Sequence, residues 1–255
     1  MPRFKSLRKP PLSEEVEKQL RASINAGFYK PGDKLPAERE LVDQFEVSRV
    51  TVRDALKRLQ QVGLISTRRG VNAGAYVLEP STRPFTLGID NLIQMKRVNF
   101  GHLIEIRLYI EPDVARSAAL CRTAEDIRRL KGLLDQAEEF AEVSPKQARL
   151  ANVMFHCEVA KIIGNSLIVY LCESITQVYS AMLIQLTQAK LDKKGVCKLI
   201  SEHRGILETI VQRRSGDAYE LTKNHLVETY HTYARILDDK ENGAVKKRIM
   251  SFARL

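Results

Sequence analysis

The stretch 35–65 constrains the fold of this chain more than any other, because it contains two short helical patterns separated by a tight turn. Advancing about 100° per residue along the second pattern places its apolar side chains on one face. These are Val52, Ala55, Leu56, Leu59 and Val62. The basic side chains fall on the adjacent face, at Arg49, Arg53 and Lys57. One face of the predicted helix therefore packs into a core, and the adjacent face carries positive charge.

Arginines near the start of this second helix suit recognition of double-stranded DNA. Ser48 is placed to cap the helix, so Arg49 falls in its first turn. A guanidinium group donates two hydrogen bonds to guanine in the major groove, and the positive end of a helix favours phosphate. The pattern predicts a duplex partner, with an ordinary helical hairpin whose arginines are solvated as the alternative.

The pattern changes after Gly63. Residues 64–70 and 73–77 read as two short strands, and the turn between them carries Arg68, Arg69 and Gly70. Two helices and then a basic hairpin are typical of a winged helix. The sequence therefore predicts a winged helix-turn-helix domain over residues 1–78.

Residues 13–77 resemble the winged-helix domain of the GntR family of bacterial transcription regulators. The matching positions are Gly27, Pro31-Gly32-Asp33, Leu35-Pro36, Glu38-Arg39, Val47-Ser48-Arg49, Thr51-Val52-Arg53, Ala55-Leu56 and Gly63-Leu64. The resemblance implies DNA contacts by Arg39, Ser48, Arg49, Thr51, Arg53, Arg68, Arg69 and Gly70. Glu46 stands where the family usually has glycine, which predicts a left-handed backbone there. Val50 stands where polar residues are frequent.

The distribution of charge agrees with a phosphate-facing N-terminal domain. The net charge is +10, and residues 1–80 hold 15 Lys or Arg against 10 Asp or Glu, so half of the excess lies in under a third of the chain. Residues 3–9, ahead of the domain, are also basic. They are interpreted as a disordered leader or, alternatively, as an arm that contacts DNA.

Cysteine usage and hydropathy predict a cytoplasmic protein. The four cysteines, Cys121, Cys157, Cys172 and Cys197, form no CxxC pair. This pattern argues against a disulfide framework or a zinc knuckle and favours thiols in a reducing compartment. No apolar run approaches about 18 residues and the N-terminus lacks the apolar core of a signal peptide, so no membrane partner is expected.

The rest of the chain is predicted to be helical. Pro80 and Pro84 predict a linker over residues 79–88. Beyond it the periodicity is helical, with breaks near residues 98–99, 122–123, 164–165, 193–195 and 215–217. We expect an all-α bundle of six or seven helices over residues 89–240 and a frayed tail over 241–255. The fold class is thus mainly α, with one small β-hairpin wing.

Three of the five histidines fall on inward faces of three different helices. These are His156, His203 and His225, and Asn152 shares the stripe of His156. His102 and His231 do not point inward. Buried imidazoles must have their polar atoms satisfied, and one shared divalent cation would satisfy all three. Three separately satisfied core histidines are the alternative.

Residues 89–240 resemble the FCD effector domain of the FadR subfamily. Metal-binding members of that subfamily carry an acidic residue four positions before a Phe-His pair, and two later histidines. The corresponding positions here are Asn152, Phe155-His156, Glu202-His203-Arg204 with Ile206-Leu207, and His225-Leu226. The resemblance implies a divalent ion of zinc, nickel or manganese held by Asn152, His156, His203 and His225. Asparagine in place of aspartate removes a negative charge, which predicts weaker metal binding.

Arg107 falls on the buried face of its predicted helix. One interpretation is a salt bridge with Glu111, four residues further on, or with a carboxylate of another helix. The other is that Arg107 binds the carboxylate of an effector, because a guanidinium fork matches that group. The spacing of Glu105, Arg107 and Glu111 resembles the ligand pocket of the family. A small organic acid is the expected effector.

Together these features predict a homodimeric repressor that binds a pseudo-palindromic operator and responds to a small carboxylate. A metal-dependent enzyme is one alternative, since three histidines with an open position also form catalytic sites. No inward acid is expected to pair with the histidines as a general base, and an enzyme would leave the winged helix unexplained. A metal sensor without an organic effector is the third class.

Overall fold

The structure is a computed structural model that describes residues 11–186, 193–236 and 243–252. The basic leader at residues 3–9 lies outside the described residues. The chain divides into two compact units, Met1–Pro84 and Phe85–Leu255. Each unit has its own hydrophobic core.

The N-terminal unit is the predicted winged helix. Its elements in chain order are α1 (Leu12–Asn25), α2 (Glu38–Phe45), α3 (Arg49–Gln61), β1 (Ile65–Arg68) and β2 (Gly74–Val77). The two strands pair antiparallel, with Ile65 opposite Val77 and Arg68 opposite Gly74. The turn between the strands therefore forms the wing.

The apolar stripe of α3 packs as its spacing predicts. Val52, Ala55 and Leu59 are completely buried, and they pack against apolar side chains of α1, α2 and the hairpin. The turn between α2 and α3 is held by Glu46, whose backbone is left-handed at φ 52° and ψ 40°. The left-handed backbone predicted at this non-glycine position is therefore present in the structure. The turn fixes where α3 begins.

The second unit is an all-α bundle. Within the described residues its helices are α4 (Arg83–Gln94), α5 (Phe100–Cys121), α6 (Ala124–Val143), α7 (Pro145–Lys161), α8 (Ser166–Leu186), α9 (Lys193–Val211), α10 (Ser215–Ile236) and α11 (Gly243–Phe252). Side chains of Asn99, Thr123 and Ser144 cap the starts of α5, α6 and α7 by accepting backbone hydrogen bonds. The described bundle has eight helices rather than six or seven.

Three elements differ from the sequence prediction, and the last two of these differences each add a helix to the described bundle. Helix α4 begins at Arg83, inside the predicted linker, because proline is tolerated in the first turn of a helix. A break at Ser144 separates α6 from α7, although a helix was expected to continue there. The predicted frayed tail contains α11, whose Val245 and Ile249 are buried in the core.

Helix α5 runs through two clusters of buried side chains. Its first half, including Phe100 and Ile104, packs with apolar residues of α8, α10 and α11. Its second half, including Val114 and Ala118, packs with residues of α6, α7 and α9. Polar side chains that face inward from the middle of α5 are consequently enclosed on all sides.

Helix α8 has the length and apolar composition of a membrane span over Ser166–Ile184, where the mean hydropathy is 1.5. The sequence pattern was not expected to contain such a segment. Its buried side chains include Cys172, Tyr179 and Leu183, which pack inside the bundle. A central bundle helix has the same composition, so the span is weak evidence for a membrane.

Candidate functional site

The start of α3 presents two arginines to solvent. The side chains of Arg49 and Arg53 are 68% and 54% exposed. Ser48 caps the helix, since its Oγ accepts a hydrogen bond from the backbone N–H of Thr51 at 3.2 Å. The hydroxyls of Ser48 and Thr51 also lie within 2.8 Å of each other. The predicted DNA-contacting residues of this helix therefore form one exposed surface.

Glu38, at the start of α2, lies against this surface. Its Oε2 accepts a hydrogen bond from Nε of Arg53 at 2.9 Å and lies 3.5 Å from Nε of Arg49. This contact was not predicted, because a turn separates the two helices and only their packing brings the side chains together. Arg39, the next residue on α2, is exposed.

The wing also carries organised positive charge. The Arg68 guanidinium lies 4.2 Å from the centre of the Tyr76 ring, and the Lys34 amine lies 6.0 Å from the same centre. Arg69 and Gly70 are exposed at the tip, where Gly70 has φ 88°. Lys34 and Tyr76 were not predicted, although an aromatic residue opposite basic residues in a hairpin is a usable signal.

The second unit brings the three predicted histidines together. His156, His203 and His225, on α7, α9 and α10, are 5%, 1% and 6% exposed. One ligand nitrogen from each ring lies within 4.8 Å of the other two. His102 and His231 are half-buried, and Nδ1 of His102 accepts a hydrogen bond at the start of α5. The three histidines of the cluster are the three that helical periodicity placed on inward faces, and His102 and His231 lie outside it.

Each histidine of the cluster has a partner at Nδ1. The partner atoms are Glu111 Oε2 for His156 at 2.8 Å, Asn152 Oδ1 for His203 at 2.7 Å and Glu202 Oε2 for His225 at 2.7 Å. An oxygen acceptor at Nδ1 fixes the ring hydrogen there and leaves Nε2 with its lone pair. The expectation that no inward acid pairs with the histidines is wrong, because Glu111 and Glu202 do so from other helices.

The surroundings of His156 and His203 keep these two imidazoles in the neutral form. Burial lowers the pKa of His156 to about 4, although Glu111 opposes this change. Burial also lowers the pKa of His203 well below its usual value, and the neighbouring His225 and His156 lower it further. Burial alone would raise the pKa of Glu111, but Arg107 and His156 lower it to about 2. At neutral pH His156 and His203 are thus neutral imidazoles, and Glu111 is an ionised carboxylate.

These residues fit a divalent metal ion. Nε2 of His203 lies 3.0 Å from Nε2 of His225. Two nitrogen ligands of one tetrahedral zinc lie about 3.3 Å apart, so a small movement suffices. Asn152 is used as the Nδ1 partner of His203, which is the role of an orienting group rather than of a ligand in this geometry.

Arg107 forms the salt bridge that its spacing suggested. It is 2% exposed, its Nε donates to Glu111 Oε1 at 2.6 Å, and its Nη2 donates to Oε2 at 3.2 Å. The guanidinium carbon also lies 4.7 Å from the centre of the Tyr179 ring. Because Glu111 also holds His156, the salt bridge is part of the histidine cluster.

A small cavity lies between α9 and α10, next to the cluster. Its volume is about 50 Å³, and its lining includes Lys198, Glu202, Thr229 and Tyr233. The hydroxyls of Thr229 and Tyr233 are buried and have no hydrogen-bond partner within the described residues. Such hydroxyls are costly unless an occupant satisfies them, so the cavity suits polar contents.

An exposed pair of arginines on a capped helix, a basic wing and a helical domain with an internal histidine cluster define a DNA-binding transcription regulator of two domains. Residues 12–77 match the family model described as "Bacterial regulatory proteins, gntR family". Residues 102–228 match the family model described as "FCD domain". The chain belongs to the GntR family and carries an FCD domain.

Individual relatives agree with this assignment. The chain is 32% identical over 216 residues to the Uxu operon transcriptional regulator of Escherichia coli (strain K12), covering 84% of this chain and 83% of that protein. It is 28% identical over 205 residues to the HTH-type transcriptional regulator LutR of Bacillus subtilis (strain 168), covering 80% and 92%.

A solved structure shares the fold of this chain. The structure of Streptococcus agalactiae GntR has the same fold, with a TM-score of 0.65 at 24% identity, and the match covers 86% of this chain and 99% of that one. The relatives are named as regulators and not as enzymes, so the chain is a regulator and the enzyme alternative is set aside.

Proposed function

We propose that this protein is a ligand-responsive repressor that binds a pseudo-palindromic operator as a homodimer. The observation that carries the proposal is the pair of exposed arginines, Arg49 and Arg53, at the capped start of α3. In this position they can reach guanine in the major groove while the helix end attracts phosphate.

The proposed DNA contacts come from three parts of the winged helix. The recognition helix supplies base contacts, the preceding helix and the wing supply phosphate contacts, and the cap positions the recognition helix. The residues concerned are Arg39, Ser48, Arg49, Thr51, Arg53, Arg68, Arg69 and Gly70. A protein bound over a promoter excludes RNA polymerase, so the proposed outcome is repression of transcription. The proposed location is the cytoplasm.

A divalent ion in the helical domain is the second part of the proposal. The histidines at positions 156, 203 and 225, each oriented by an acceptor at Nδ1, support a zinc, nickel or manganese ion with three nitrogen ligands. The ion would fix the relative positions of α7, α9 and α10, which carry the ligands.

A small organic acid is the proposed effector. The cavity beside Glu202 offers the Lys198 amine and two unpartnered hydroxyls. Its volume of about 50 Å³ admits an acid only if lining side chains move. A carboxylate that competed with Glu111 for Arg107 would loosen the support of His156. Either change alters the domain, and a ligand shifts a conformation only by such differential contacts.

Dimerisation through the helical domain is supported by exposed apolar side chains on α5. Ile106, Tyr109 and Leu120 are 40%, 59% and 57% exposed. Two copies would present two recognition helices to successive major grooves of one operator.

The test begins with selection of DNA duplexes from a random library by the purified protein. The proposal expects a two-fold symmetric sequence and, by light scattering, two chains per duplex. Thermal-shift screening of carboxylic acids, with and without a chelator, then identifies the effector. Selection of no sequence would contradict the DNA-binding proposal.

A metal sensor without an organic effector is the second candidate. The observation that favours it is the salt bridge to Glu111, which already occupies the guanidinium fork of Arg107. In that case operator binding depends on metal, and no carboxylic acid changes it. Operator titrations with chelator and with each acid separate the two candidates.

A further inference from the structure

Glu38 contacts both arginines that α3 presents to solvent. One carboxylate oxygen, Oε2, accepts from Nε of Arg53 at 2.9 Å and lies 3.5 Å from Nε of Arg49. Glu38 is the first residue of α2, so this contact crosses the turn between the two helices. In both arginines the nitrogen nearest to Glu38 is Nε, rather than the terminal Nη1 or Nη2.

Folding stability does not account for this arrangement. The Glu38 side chain is 35% exposed, and ion pairs with this degree of exposure contribute little to stability and are screened by salt. A carboxylate beside a surface that meets phosphate also weakens attraction to DNA of any sequence. The contact therefore opposes non-specific binding and adds little to folding stability, so a role in DNA recognition is the one to test.

We propose that Glu38 is a specificity residue of the DNA-binding surface. It positions the guanidinium groups of Arg49 and Arg53 for guanine, and its charge lowers affinity for DNA that lacks the matching bases. This inference rests on the proposed function, since it takes the two arginines to be the base-reading residues.

Positioning follows from the atom that Glu38 binds. With Nε of Arg53 engaged, Nη1 and Nη2 remain to donate to guanine O6 and N7. An arginine already held in one orientation loses less conformational freedom when it meets the base, so the operator is bound more tightly.

Discrimination follows from the charge of Glu38. On the operator, two guanidinium groups gain base contacts that outweigh the repulsion between this carboxylate and nearby phosphates. On other sequences the base contacts are absent and the repulsion remains. Specificity is a difference of two affinities, so a repulsive element increases it even when it adds no attraction.

The experiment measures the ratio of affinities for two duplexes by fluorescence anisotropy at one salt concentration. The duplexes are the sequence selected from a random library by the wild-type protein and a scrambled version of it. The variants are Glu38→Gln, Glu38→Ala and Arg53→Ala. Asp43→Asn is the matched control, because it removes one negative charge from α2 about 140° around the helix from Glu38.

We expect the operator-to-scrambled ratio to fall about tenfold in Glu38→Ala, through weaker operator binding and stronger non-specific binding. In Glu38→Gln the amide oxygen still accepts from Arg53, so the ratio falls mainly because scrambled DNA binds more tightly. The control Asp43→Asn should keep the wild-type ratio.

The outcomes separate this inference from the proposed function. If the ratio changes less than about threefold in both Glu38 variants while Arg53→Ala loses operator binding, the role of Glu38 is overturned and the DNA-binding proposal stands. If the wild-type protein selects no sequence, the proposed function fails as well. Melting temperatures check the fold, and Glu38→Gln decides the question if Glu38→Ala is unfolded.

Discussion

Nε2 of His203 lies 3.0 Å from Nε2 of His225. Glu202 accepts from Nδ1 of His225, so the second nitrogen of that ring carries a lone pair. Asn152 Oδ1 accepts from Nδ1 of His203 in the same way, so Nε2 of His203 also carries a lone pair. The two lone pairs face each other across this short distance, and a divalent cation between them would satisfy both.

The first prediction is that each chain binds one divalent ion through His156, His203 and His225. His203→Ala removes a ligand nitrogen and should lose the metal, as measured by elemental analysis of the purified protein. His231→Ala is the control, because His231 lies outside the cluster and should retain the metal. Equal metal contents in the two variants would rule out the site.

The second prediction concerns Asn152. Asn152→Asp restores a negative charge beside the histidines and should increase metal affinity about tenfold, because charged partners strengthen ligand histidines. Asn152→Ala removes the acceptor for Nδ1 of His203 and should lower the metal affinity by a similar factor. Calorimetric titration with zinc measures both. Identical affinities in all three proteins would show that Asn152 does not orient His203.

The third prediction concerns the recognition helix. Arg49→Ala and Arg53→Ala should each lower operator affinity by roughly 1–3 kcal/mol, the value of a bidentate base contact, without changing the fold. Arg58→Ala is the control on the same helix, since Arg58 pairs with Glu14 of α1. Anisotropy titrations measure the effect. If both the Arg49 and the Arg53 variants bind the operator with wild-type affinity, the assignment of α3 as the recognition helix is wrong.

The fourth prediction concerns the buried pair Arg107 and Glu111. Arg107→Ala leaves the Glu111 carboxylate buried without its cation and should lower the free energy of unfolding by roughly 3–5 kcal/mol. Arg116→Ala breaks an exposed pair with Asp113 on the same helix and should cost at most about 1 kcal/mol. Urea denaturation compares the two. If both variants cost the same, the buried pair does not stabilise the bundle.

The fifth prediction concerns the dependence of stability on pH through Glu105 and Arg248. The hydrogen bond from Arg248 lowers the pKa of Glu105 below 4.5, against the opposing effect of burial. A lowered folded-state pKa contributes stability above the unfolded value, and this contribution is lost as the pH falls through the folded-state pKa. Arg248→Gln should therefore lower the melting temperature at pH 7 and have no effect once Glu105 is protonated.

Lys247→Gln is the control for this last prediction. It removes the same charge from the residue of α11 that directly precedes Arg248, and Lys247 is exposed. A melting temperature that responds equally to both substitutions, or a difference between them that persists in acid, would contradict the role of the Glu105 pair.

Local patterns were sufficient for most of the fold. The apolar spacing from Val52 to Leu59 predicted the buried face of α3, and the position of Ser48 predicted its cap. Helical faces also separated the three inward histidines from His102 and His231. These features depend on 3.6-residue periodicity and on capping, which neighbouring residues decide.

Features at the ends of elements were predicted less well. Helix α11 was taken for a tail, although Val245 and Ile249 are spaced to share one face. A short helix is marginal by itself and forms because its apolar face is buried against a core, which a local pattern does not reveal. The break at Ser144 had a usable signal in the cap that precedes a proline.

The sequence by itself determined which side chains face inward and which helix carries the exposed arginines, because helical periodicity fixes the direction of a side chain relative to its own helix. Only the tertiary structure decided which side chains meet. Glu111 reaches His156, Glu202 reaches His225, and Glu38 reaches Arg53 from separate helices. The physical reason is that such contacts depend on the packing of whole helices against one another, which periodicity within a single helix does not specify.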